Sequence, residues 1–170
     1  MGKGYEVMDH EPNEQRPTRV LVADDDQSIR QLVCTIVKRE GVEVDSAGDG
    51  LAAIERIKEH PYAVILLDLM MPNLDGFGVI EYLRQNPPAV KPVILVMTAY
   101  TDQKFKDVDP EVVAGVLRKP FEIAELAGIV RLCMSGFAQD VAKRLIVSSD
   151  RAVRDFTMLK AKENKSGTEN

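Results

Sequence analysis

Between Thr18 and Phe137 the apolar residues follow two alternating rhythms. Short runs rich in β-branched residues, Val20–Ala23, Val42–Ala47, Ala63–Leu67, Val93–Thr98 and Gly115–Leu117, read as strands. Between the first two runs, Ile29, Leu32, Val33, Ile36 and Val37 recur at i, i+3, i+4, i+7 and i+8, which is one face of a helix, and Gly41 stands where that helix would stop. Asp49-Gly50 opens a second helix carrying Leu51, Ile54 and Ile57 and ending by Pro61. Asp75-Gly76 opens a third with Phe77, Ile80 and Leu83, ending before Pro87-Pro88. A fourth helix is placed within Thr101–Val108, where apolar positions are few and Pro110 sets a limit. After Pro120, Ile123, Leu126, Val130, Cys133 and Phe137 repeat at helical spacing, and the pattern continues to Val141 and Leu145. From Glu122 to Val147 such a helix would run roughly 39 Å at ~1.5 Å per residue, against about 20 Å for a six-residue strand, so its last turns should project beyond the sheet or fold over it.

The runs Val64-Ile65-Leu66-Leu67 and Val93-Ile94-Leu95-Val96 are apolar without alternation, as required of parallel strands covered on both faces. Right-handed crossovers then restrict the topology to an open doubly wound α/β sheet, flavodoxin-like, with strand order 2-1-3-4-5 and an extended C-terminal helix. The polar segment 1–17, with Pro12 and Pro17, reads as a loose arm. Residues 18–137 form the folded unit, and 138–170 form a helical extension and tail, with a break at Ser148-Ser149-Asp150 and a short helix over Ala152–Leu159.

Composition narrows the function. In a chain of 170 residues, 45% apolar and 29% charged, the net charge of −5 argues against binding driven by neutralising a phosphate backbone, so nucleic acid is not the expected partner. No apolar stretch approaches the ~20 residues that cross a bilayer, and no secretory signal is visible, so the expected location is the cytoplasm. Cys34 and Cys133 are far apart and without neighbouring ligands at metal spacing, and they read as small hydrophobes in a reducing compartment.

The chemistry collects at the strand ends. In such sheets ligands bind beyond the carboxyl ends of the strands where strand order reverses, here between the first and third strands. The first ends in Asp24-Asp25-Asp26 and the third in Asp68, so neighbouring strands ~4.8 Å apart would crowd several carboxylates into one crevice. Like charges so placed call for a cation, and an all-oxygen cluster suits Mg²⁺. Thr98 after the fourth strand adds a hydroxyl, and Lys119 after the fifth adds an ammonium. Together they describe an anion site beside a metal, suited to a phosphoryl group: Asp68 is placed to attack, Asp24 and Asp25 to bind metal directly or through water, Lys119 to neutralise charge and Thr98 to donate a hydrogen bond. Asp26, immediately before Gln27-Ser28-Ile29, reads as a helix N-cap instead. Pro72 and Asp75-Gly76 read as loop geometry.

Four blocks, Val20-Leu21-Val22-Ala23-Asp24-Asp25-Asp26, Leu67 to Gly76 (LDLMMPNLDG), Met97-Thr98-Ala99 and Arg118-Lys119-Pro120, together resemble the receiver domain of bacterial two-component response regulators, in order and at family-like spacing. The resemblance implies that Asp68 accepts a phosphoryl group from a sensor histidine kinase or histidine phosphotransfer protein. It also implies that Asp24, Asp25, Asp68 and the Met70 backbone carbonyl hold Mg²⁺, that Thr98 and Lys119 contact the phosphoryl group, and that the Lys119–Pro120 bond is cis. Output is then expected by contact with a downstream protein, or with a second copy of the chain through surplus apolar positions beyond Phe137, the chain acting as a stand-alone switch and not as an enzyme.

Two departures bear on this reading. Receivers commonly carry Tyr or Phe three residues before the lysine, where this chain has Val116, so the usual aromatic rotamer switch cannot operate as such. Met70 and Tyr100 are bulky where an attacking water would approach, which implies a long-lived phosphoryl state. The rival readings are a pseudo-receiver scaffold that binds partners irrespective of phosphate, and a phosphohydrolase of the haloacid-dehalogenase type. The latter needs a second Asp two residues after the nucleophile, where Met70 stands.

Overall fold

The computed structural model describes residues 17–99, 109 and 111–135. In chain order these form β1 (Arg19–Ala23), α1 (Gln27–Arg39), β2 (Glu43–Ala47), α2 (Gly50–Glu59), β3 (Val64–Asp68), α3 (Gly76–Gln85), β4 (Val93–Thr98), β5 (Val113–Arg118) and α4 (Ile123–Met134). The strands make one parallel sheet in the order β2-β1-β3-β4-β5, so the reversal falls between β1 and β3 as the sequence requires.

Side chains of alternate strand residues go to opposite faces and define two cores. Leu21, Ala23, Ile65, Leu67, Ile94 and Val96 pack with Ala53 of α2 and with Val79, Ile80 and Leu83 of α3. Val20, Val22, Val64, Leu66, Leu95 and Met97 pack with Val33, Ile36 and Val37 of α1 and with Leu126, Ile129 and Val130 of α4. The uninterrupted apolar runs therefore reflect burial on both faces, and all five residues of β3 are buried.

Helix starts follow from the sequence. Asp26 caps α1, its Oδ1 accepting the N–H of Ser28 at 2.8 Å and of Ile29 at 3.1 Å. Asp49 caps α2 through Ala52 N–H, and Asp75 caps α3 through Gly78 N–H. Gly41, just past the end of α1, takes φ 75°, the left-handed value that ends helices at glycine without a Cβ penalty.

The boundaries and the core need correction in places. The fifth strand is longer than Gly115–Leu117, running from Val113 to Arg118, because a register shift at Ile94/Leu95 lets its first residues pair with β4 as well. The third strand ends at Asp68, as the sequence reading has it, and starts at Val64 instead of Ala63. Leu32, Leu51 and Ile123, assigned above to buried helix faces, are 45%, 54% and 52% exposed. The stripe that contacts a flat sheet is narrower than the apolar stripe in the sequence, so residues on its flank or in the first helical turn stay wet. Helix α4 is described to Met134, with Ser135 as its C-cap. The arm, the helix placed in Thr101–Val108, the continuation through Phe137, Val141 and Leu145, and the segment Ala152–Leu159 lie outside the described residues.

Candidate functional site

Sheet geometry brings Asp24, Asp25, Asp68, Thr98 and Lys119 to one edge, the carboxyl ends of β1, β3, β4 and β5. Val20–Ala23 pair in register with Val64–Leu67, so Asp24 and Asp68 leave adjacent strands at the same level. Lys119 N–H donates to the Thr98 carbonyl at 2.8 Å, which fixes the lysine directly beside the end of β4. The Lys119–Pro120 peptide is cis, in line with the resemblance.

Asp24 is fully buried, Asp68 is 5% exposed and Thr98 is buried. One carboxylate oxygen each from Asp24, Asp25 and Asp68 lies within 4.8 Å of the others, a spacing that suits a single hard cation taking oxygen ligands. Lys119 Nζ donates to Asp24 Oδ2 and to Asp68 Oδ2, both at 2.6 Å. The remaining oxygens are held by backbone: Asp24 Oδ1 accepts the Asp26 N–H and Asp68 Oδ1 the Met70 N–H, each at 3.0 Å. Burial pushes the Asp24 carboxyl above its usual range, against the opposing pull of Lys119. Burial would lower the Lys119 pKa, but its hydrogen bonds to Asp24 and Asp68 outweigh that and hold the ammonium firmly charged. A buried ammonium between two carboxylates, with a third nearby, leaves a pocket of net negative charge whose natural complement is a divalent cation.

The loop after β3 is tied down by contacts that no sequence motif announces. Asn73, at φ 64°, donates from Nδ2 to Asp49 Oδ2 at 2.9 Å, and Gly50 N–H donates to the Leu74 carbonyl at 2.9 Å. The loop after β3 is thereby pinned to the start of α2. Asn was the available signal, being among the few residues that tolerate the left-handed region. A Cβ on Gly76 would lie 2.3 Å from the Asp68 carbonyl oxygen, so only glycine permits α3 to start so close behind Asp68. Arg30 was not singled out either; from α1 its Nη1 donates to the Asp24 carbonyl at 2.6 Å and to the Asp25 carbonyl at 3.3 Å.

Met70 is 52% exposed, two residues past Asp68, while Val116 is 1% exposed and packed in the core under α2 and α3. Tyr100 lies outside the described residues.

A doubly wound sheet of this order with a carboxylate cluster and a lysine at its switch point defines an α/β module with an acidic pocket at the carboxyl ends of its strands. The chain belongs to the response regulator receiver domain family, whose model matches residues 20–131. It is 31% identical over 121 residues to protein PilG of Pseudomonas aeruginosa, an alignment covering 70% of this chain and 89% of PilG. It is 32% identical over 121 residues to response regulator ArlR of Staphylococcus saprophyticus, covering 67% of this chain but 51% of ArlR, so it spans about half the length of that relative. The structure of response regulator TrrA from Thermotoga maritima in complex with Mg²⁺-BeF matches with a TM-score of 0.61 at 28% identity, covering 68% of this chain and 98% of TrrA. Receiver domains are signalling modules of two-component systems, generally without enzymatic activity of their own. Among the described residues no helix is long and apolar enough to cross a membrane.

Proposed function

We propose that this chain is a phosphorylation switch in which Asp68 takes a phosphoryl group from a sensor histidine kinase or histidine phosphotransfer protein and signals by contact with a downstream protein. The observation that carries this reading is the convergence of Asp24, Asp25, Asp68 and Lys119 in one pocket, with Lys119 Nζ 2.6 Å from both Asp24 and Asp68. Residues 18–137 are the switch, and 138–170 are assigned to output. The free thiols of Cys34 and Cys133 fit a reducing cytoplasm.

In the proposed step an oxygen of the Asp68 carboxylate attacks phosphorus. The new C–O–P bond forms as the donor's bond to phosphorus breaks, and the leaving group departs with the electron pair and takes up a proton from solvent. The Met70 N–H, bonded to Asp68 Oδ1, holds the carboxylate in one orientation, which shortens the search for an in-line approach. Lys119 moves its hydrogen bond from Asp68 to the added oxygens and offsets the extra negative charge. Thr98 is positioned at the end of β4 to donate to the same group. Asp24, Asp25, Asp68 and the Met70 carbonyl are the groups that would hold Mg²⁺, which supplies charge neutralisation for the transferring phosphoryl group. That TrrA is described in complex with Mg²⁺-BeF supports the assignment.

Incubation with acetyl phosphate and Mg²⁺ followed by intact-mass measurement tests this. One phosphoryl group is expected on the native chain and none on Asp68→Asn, with decay slow enough to follow by hand because Met70 covers the approach. Equal incorporation in Asp68→Asn would remove Asp68 from the role and place the acceptor elsewhere, and none in either would favour a phosphate-independent scaffold. Steady turnover of phosphomonoesters would favour a hydrolase.

A further inference from the structure

We infer that Arg30 is a positioning residue of the phosphoacceptor site, its guanidinium fixing the backbone of Asp24 and Asp25 so that both carboxylates stay within reach of Asp68. The inference rests on the reading of these carboxylates as the Mg²⁺-binding set.

Arg30 stands in the first turn of α1, where its own N–H bonds the Asp26 carbonyl at 2.9 Å. A cation there works against the helix dipole, which favours negative charge at the N-terminus. The side chain turns back instead onto the β1–α1 connection, where Nη1 spans two successive carbonyls, 2.6 Å to Asp24 and 3.3 Å to Asp25. Asp24 is already anchored at its N–H by the Ala47 carbonyl and at its carboxylate by Asp26 N–H and Lys119. Asp25 is different: it is exposed. The bond from Arg30 to its carbonyl is therefore a restraint that burial does not supply, and charge-assisted donors are the stronger kind.

Charge and geometry make opposite predictions, which decides the role. As a nearby positive charge, Arg30 would oppose a divalent cation, so its removal would tighten Mg²⁺ binding. As a positioning group it favours binding, so its removal would weaken it.

The test is calorimetric titration of the full chain with MgCl₂ at constant ionic strength, in the native protein, Arg30→Met, Arg30→Lys and the control Arg131→Met, which removes an exposed cation that pairs with Glu40. Loss of a hydrogen bond from a charged donor is expected to raise the Mg²⁺ Kd of Arg30→Met about tenfold, with Arg30→Lys weakened less and Arg131→Met unchanged. The initial rate of mass gain from acetyl phosphate in Arg30→Met should recover at saturating Mg²⁺, which general destabilisation would not produce. An unchanged or lower Kd in Arg30→Met overturns the proposal. If that variant does not fold, Arg30→Lys decides: its charge is intact, so a weaker Kd supports positioning and an unchanged one overturns it. A native chain that binds no Mg²⁺ removes the metal reading itself, whereas native binding with equal binding in the variants removes only the role of Arg30.

Discussion

Lys119 Nζ bridges Asp24 Oδ2 and Asp68 Oδ2 at 2.6 Å each, joining the ends of β1, β3 and β5 through one proton-rich group. All three side chains are nearly or fully buried, so removing the ammonium leaves two carboxylates without compensation. Lys119→Met is expected to lose about 3 kcal/mol of stability, the order found for breaking a buried ion pair from one side. It should also lose most of the mass gain from acetyl phosphate. Urea unfolding checks the first; a loss below about 1 kcal/mol would place the pair with ordinary surface bridges.

On the proposed reading of the carboxylate cluster, stability depends on divalent metal. A ligand at ten times its Kd stabilises the native state by about 1.4 kcal/mol, which in a domain of this size raises Tm by about 4–6 °C. Thermal unfolding in EDTA and in Mg²⁺ should show this rise in the native chain and lose it in Asp25→Ala, whose exposed side chain contributes to the cluster without supporting the core. Equal rises in both would place the metal elsewhere.

Gly76 is required by the closeness of α3 to the acceptor. A Cβ there would sit 2.3 Å from the Asp68 carbonyl oxygen and 2.8 Å from Leu69 Cα, both backbone atoms that cannot swing away. Gly76→Ala is expected to lose about 2–3 kcal/mol and to slow the mass gain from acetyl phosphate, because the strain falls on the peptide of Asp68, the proposed acceptor. Wild-type rates in a folded Gly76→Ala protein would show that the loop absorbs the shift without moving Asp68.

At the opposite end of the sheet, Asp45 accepts from Arg19 Nη1 at 3.1 and 2.8 Å and from Tyr62 Oη at 2.8 Å. Burial alone would raise its pKa, but these bonds outweigh it and hold the carboxyl below its ordinary value of 3.8. A depressed native pKa means that the unfolded chain binds the proton more readily. The contribution is therefore complete above about pH 4 and is lost as pH falls through the lower native value. Asp45→Asn should be less stable near neutrality by about 0.5–1 kcal/mol, since the site is partly solvated, and the gap to the native chain should close as pH falls through the depressed native pKa. Parallel stability curves would exclude this link.

Much of the fold was legible because its signals are local. Unbroken runs such as Val64–Leu67 require a strand covered on both faces, and Asp26, Asp49 and Asp75 cap the helices they precede because each carboxylate needs only the next few N–H groups. Asp24, Asp68, Thr98 and Lys119 were legible as a site because they follow strand ends, and parallel strands in the order 2-1-3-4-5 bring their carboxyl ends to one edge. What the sequence hid were the flanks of helices and contacts across loops. Leu32, Leu51 and Ile123 fit the apolar period, yet whether a residue on that period is buried depends on where the sheet surface ends. The pinning of Asn73 to Asp49, the clearance behind Gly76 and the reach of Arg30 to Asp24 and Asp25 depend on distances between segments that approach only after the chain has folded. Local sequence preference thus determined the elements, and strand order brought the carboxylates and the lysine to one edge. The long-range packing of loops against helix ends decided how tightly those groups are held.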